Sequence, residues 1–92
     1  MAVYVALIDG ESGNFGVVVP DLPGCTSGGD TVEEALRNAA EAVRLWCDDA
    51  RADGEAVPGP RAIEDLRQDP EIAAALAGSA VLGFVPMREL AA

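Results

Sequence analysis

Three aspartates near expected strand ends, two cysteines and a glycine pair are the residues of this 92-residue chain whose types and places could support chemistry. Asp9, Asp21 and Asp30 each stand where a strand is expected to end, and converging carboxylates can hold a divalent cation or exchange protons. Their spacing matches no metal loop and no basic groove accompanies them, so the reading favoured from sequence is that they cap turns and face water. Cys25 and Cys47 have no histidine or motif-spaced basic neighbour to generate a thiolate, and they are too few for a disulfide framework. Gly28-Gly29 permits tight backbone geometry. It lacks the spacing and the lysine of a phosphate loop, and Glu33 and Glu34 follow in the first helical turn. With no histidine and no lysine in the chain, histidine-metal sites and the usual hydrolytic triads are excluded by inventory. No enzymatic activity, no metal site and no cofactor is expected.

The charge balance is equally selective. Sixteen acidic residues stand against six arginines, for a formal net charge of -10. Such a chain repels phosphate backbones, so direct nucleic-acid binding is not expected, whereas a basic partner is attracted. Acidity as a solubility feature is the alternative reading. No apolar run is long enough to span a bilayer and no signal peptide is present, which points to a cytoplasmic protein and no membrane partner. Ninety-two residues suit one domain with a thin aliphatic core.

The elements follow in order. Residues 1–20 read as a hairpin, with strands Val3 to Ile8 and Phe15 to Val19 joined by turn residues Asp9 to Asn14 and stopped by Pro20. Tyr4 and Phe15 are packing residues in this reading. Residues 21–31 hold a Pro23-Gly24 turn, a short strand over Cys25 to Gly29, and a second turn at Gly28-Gly29-Asp30. Thr31-x-x-Glu34 matches a capping box for a long helix over 32–52, with Gly54 available to end it. Val32, Ala35 or Leu36, Ala39, Val43 and Trp46 or Cys47 mark its apolar face, and Glu33, Arg37, Glu41, Arg44 and Asp48 the other. Trp46 is expected at the core or its edge, with Leu45 extending an exposed apolar patch. Closely spaced prolines at 58 and 60 forbid a continuous helix, and short helical segments follow over 61–77, the second capped by Asp69 with Pro70 first inside. A last strand over 80–86 carries Gly83, read as a bulge or a close backbone approach. The fold class is α+β: an antiparallel sheet of three or four strands in the order β-β-β-α-β, one long helix on one face, and short helices before the last strand.

The segment Asp21-Leu22-Pro23-Gly24-Cys25, with Ser27, Gly29-Asp30-Thr31, Glu34-Ala35 and Asn38-Ala39, resembles the N-terminal domain of HicB-family antitoxins. The agreement reaches back to Tyr4 and Phe15 and forward to Trp46, Gly54 and Pro58-x-Pro60. It makes Pro23, Gly24, Cys25, Gly28, Gly29, Thr31 and Trp46 the structural motif of the scaffold. The resemblance implies a partial ribonuclease-H-like fold without catalysis, and a function as an antitoxin that binds and neutralises a small basic ribonuclease toxin of the HicA type. Family members usually continue into an operator-binding domain, whereas this sequence ends after its fourth strand, so none is expected here. From charge and exposure, Asp21, Asp30, Glu33, Glu34 and Glu41 are the expected partner-binding residues. A solitary acidic protein-binding or oligomerisation domain is the alternative, and a degenerate nuclease a third. A sheet with open edges also suggests a homodimer or higher homo-oligomer, through the last strand or the tail Met87 to Leu90.

Overall fold

The computed structural model describes residues 2–87. The chain runs β1 (Ala2–Glu11), β2 (Asn14–Val18), β3 (Thr26–Gly29), α1 (Val32–Ala52), α2 (Ile63–Leu66), α3 (Pro70–Ala77) and β4 (Val81–Met87). The strands form one four-stranded sheet in the order β3-β2-β1-β4, with every neighbouring pair antiparallel. The four-stranded form of the α+β expectation is therefore the one adopted. Arg88 to Leu90, part of the tail suggested for self-association, lie outside the described residues.

Two turn assignments need correction. Asp9, Gly10 and Glu11 belong to β1, and the hairpin turn is only Ser12-Gly13. The ladder continues because Gly10 adopts a φ of +123° and pairs with Phe15, where a Cβ would lie 2.3 Å from the Asn14 carbonyl oxygen. Gly28 and Gly29 are likewise strand residues, paired with Gly16 and Phe15, and the chain turns only after them. Glycine is needed at 29 because the helix start packs directly on the strand, leaving a Cβ 2.6 Å from the Ala35 backbone nitrogen. The Pro23-Gly24 turn forms as read: Gly24 has a φ of +82° and the Cys25 N–H donates to the Leu22 carbonyl at 2.9 Å.

The signals of α1 are local and the structure follows them. The Thr31 hydroxyl accepts from the Glu34 N–H at 3.0 Å, while the Glu34 carboxylate reaches back to the Asp30 N–H at 2.8 Å, one residue beyond the usual capping-box partner. At the other end Gly54 takes a φ of +75°, and the N–H groups of Gly54 and Glu55 donate to Arg51 and Ala50, closing a Schellman motif.

Strand alternation sorts β1 between two cores. Tyr4, Ala6 and Ile8 face α1, where they meet Val17, Val19, Leu22, Cys25, Ala35, Ala39, Val43, Cys47 and Val85. Gly83 opposes Ala6 without a bulge, and a Cβ there would lie 2.8 Å from Ile8 Cδ1 and 3.1 Å from Leu36, so close approach is its role. Val5 faces the other way and packs with Leu66 of α2 and Ile72 of α3, flanked by Leu7, Ile63, Leu76 and Leu82. The short helices thus cover part of the second sheet face.

Candidate partner-binding surface

The outward face of α1 gathers most of the carboxylates singled out from sequence. Asp30 and Glu33 are exposed at its N-terminus, and Glu41 is exposed two turns further along. Acidic residues there are favoured by the helix dipole, which is the local reason for the sequence placing them in the first turn. The face is not uniformly negative. Glu41 lies 3.9 Å from Arg44 and Asp48 lies 3.9 Å from Arg51, both pairs about half exposed and spaced one helical turn apart. Leu45, 55% exposed, stands among these charges, and Val32 is 38% exposed at the helix start. Single apolar side chains among charges are ordinary on a soluble surface, so it is the carboxylates at the helix start that distinguish this face.

Glu34 is only half-buried, and one carboxylate oxygen is committed to the Asp30 N–H. Asp21 departs from expectation more sharply. It is 9% exposed, and its two oxygens accept from the backbone N–H and the Nε of Arg61. The charge-based expectation that Asp21 lies open on the surface is corrected: a cation forty positions along the chain covers it. Arg61 carried no signal at the sequence level, since nothing local connects it to Asp21.

That ion pair is one of three polar ties around the β2–β3 turn and the segment after α1. The Tyr4 hydroxyl donates to the Pro58 carbonyl, and the Trp46 Nε1 donates to the Pro23 carbonyl at 2.8 Å. Trp46 is thereby a core-edge residue with a polar handle, as its type favours. Burial raises the Tyr4 pKa, with the Cys47 and Asp21 charges adding in the same direction.

The remaining candidates are held apart. Asp9 accepts from Ser79 Oγ at 2.6 Å and from the Gly10 N–H at 2.7 Å, and these bonds, the hydroxyl first, hold its pKa below the ordinary carboxylate value. Cys25 and Cys47 are free thiols inside the core, and burial pushes both pKa values up. That opposes thiolate formation and hence nucleophilic use. Among the described residues no three metal-ligating side chains come together. The same residues contain no helix long and apolar enough to cross a membrane.

Comparison with known proteins gives this surface its context. Residues 4–88 match the family model described as the HicB-like antitoxin of bacterial toxin–antitoxin systems. The chain belongs to the HicB-like antitoxin family. It is 38% identical over 69 residues to an uncharacterised 14.9 kDa protein of Haemophilus phage HP1, a match covering 75% of this chain and 52% of the phage protein. It is also 38% identical over 64 residues to a UPF0150 protein of Thermoplasma acidophilum, covering 70% of this chain and 93% of that one. Among solved structures, the N-terminal domain of Burkholderia pseudomallei antitoxin HicB superposes with a TM-score of 0.72 at 29% identity, over 94% of this chain and 98% of that domain. A chain of the HicA3–HicB3 toxin–antitoxin complex gives 0.72 at 26% identity, over 91% of this chain and 95% of that chain.

Proposed function

We propose that this HicB-like domain is a non-enzymatic antitoxin that binds and neutralises a small basic ribonuclease toxin of the HicA type. The observation that carries the reading is the family match across nearly the whole chain, with a toxin–antitoxin complex among its structural neighbours. The net charge of -10 supports it independently, because an acidic domain accelerates encounter with a cationic RNA-binding protein and offers carboxylates in place of RNA phosphates. Asp30, Glu33 and Glu41 are proposed as direct contacts, with Leu45 as an apolar contact among them. Glu34 contributes through the end of the helix it caps, and Asp21 by fixing the segment around Arg61. The protein acts in the cytoplasm, as a homodimer, and without binding nucleic acid itself. Three consecutive antiparallel strands followed by a helix also support reading the fold as a partial ribonuclease-H-like arrangement.

Co-expression with the basic protein encoded beside it tests the proposal. The expected result is loss of growth arrest and of RNA cleavage, together with a stable complex. Failure to form a complex removes the antitoxin reading for that pair. A stand-alone binding or oligomerisation domain is the second reading, favoured by the match to a UPF0150 protein over 93% of its length. Complete absence of a basic partner from co-purified material under low salt, with retained self-association, supports that alternative.

A further inference from the structure

The two edges of the sheet are treated differently. At the β3 edge, Asn38 of α1 donates from Nδ2 to the Gly28 carbonyl at 2.8 Å, so a side chain of the same molecule occupies an outward acceptor. At the other edge lies β4, seven residues from Val81 to Met87 with no charged residue among them. Lysines or inward charges are the usual protection of such an edge, and Pro86 is the single blunting residue here. Val81 and Phe84 are each 54% exposed on this strand. In a chain of net charge -10, an uncharged apolar edge adds no local repulsion when two copies approach through it.

We propose that β4 is the self-association surface: two copies join their sheets antiparallel, β4 against β4, about a two-fold axis at Gly83. Pro86 has no N–H, so its pairing with Val3 is of the non-hydrogen-bonded kind. Alternation along the ladder then turns the N–H and C=O of Leu82 and Phe84 away from β1. Centring the axis on Gly83 sets Leu82 against Phe84 of the second copy, and all of these outward groups find partners. Centring it on Phe84 sets Leu82 against Pro86 and leaves one Leu82 carbonyl on each side without a donor. The Gly83 register also stacks the exposed ring of Phe84 on Leu82 of the other copy, above the shallow hollow of about 560 Å³ lined by Arg67, Leu76, Val81 and Leu82. An antiparallel junction has its two-fold perpendicular to the sheet, so the pair of α1 helices share one face of an eight-stranded sheet and α2 and α3 the other. The dimer therefore presents two acidic α1 surfaces side by side.

This surface rests on the homodimer reading, and the experiment separates the two. Sedimentation velocity on the full chain across the micromolar range is expected to show a concentration-dependent dimer, weakened about tenfold or more by Phe84→Lys. A wild-type protein that stays monomeric throughout overturns both the homodimer and the surface; a Phe84→Lys dimer of unchanged affinity overturns the surface alone. Should Phe84→Lys lose its native circular dichroism, amide exchange on the wild type decides. Protection of the Leu82 and Phe84 amides must rise with concentration, and concentration-independent fast exchange overturns the proposal.

Discussion

Asp21, Asp9 and the two cysteines show how folding reassigns residues that look chemically available. Asp21 sits under a near-complete cover, with Arg61 supplying both a side-chain and a backbone donor to its carboxylate. Arg61→Ala removes the cation and leaves only the N–H, and since the arginine side chain is itself 43% exposed, the cost is that of a partly screened pair. The expected loss is about 1–2 kcal/mol in urea unfolding, with Arg61→Lys recovering part of it. For Asp9 the depressed pKa means that its contribution is present above the unfolded carboxylate pKa and is lost as pH falls through the folded value. Ser79→Ala removes the leading cause, so the Asp9 pKa measured by NMR titration should rise toward the ordinary value. Cys25 and Cys47 have the opposite sign: their raised thiol pKa values contribute stability below the unfolded thiol pKa and lose it as pH rises toward the folded values. The matching expectation is negligible labelling by a thiol reagent in native protein and full labelling in denaturant. None of these partnerships is legible in sequence, because Asp21 meets its partner across forty positions and Asp9 across seventy.

Elements whose instructions are local were readable, and those defined by distant packing were not. The helix at 32–52 is legible because its apolar stripe lies within the segment and its cap, Thr31, and terminating glycine, Gly54, lie just outside it. Thr31→Ala tests the cap, with an expected loss of about 0.5–2 kcal/mol in denaturant unfolding. The hairpin bounds are not legible at Asp9-Gly10-Glu11, because these residue types favour a turn while pairing with Asn14 to Gly16 decides the ladder. The placement of α2 and α3 was missed for a different reason. Helices of four and eight residues are too short to define an apolar stripe. A signal did exist in β1, where the unbroken apolar run from Val3 to Ile8 is the pattern of a strand covered on both faces rather than one. Leu66 is the anchor of that second cover, at 1% exposure against Val5 and Ile72. Leu66→Ala is expected to cost about 2–5 kcal/mol and to raise amide exchange in α2 and α3 before α1. Uniform exchange across all three helices would instead make the short helices part of one cooperative unit with the sheet.

At the scale of the whole molecule, the charge pattern separates two kinds of association. Under the two proposals, the acidic α1 face draws a cationic partner by long-range attraction, and the uncharged β4 edge is where two copies meet. These forces respond oppositely to salt. Screening shortens the reach of attraction to a basic toxin, so its association rate should fall steeply as ionic strength rises past the physiological range. The same screening relieves repulsion between two acidic copies, so self-association should strengthen or hold steady. Glu33→Gln with Glu41→Gln reduces the field without touching the helix cap, and should lower the toxin association rate by several-fold, with a smaller change in dissociation. Stopped-flow mixing at two salt concentrations measures both effects. A toxin rate insensitive to salt and to these substitutions would assign the contact to apolar residues such as Leu45, and the acidity of the chain to solubility.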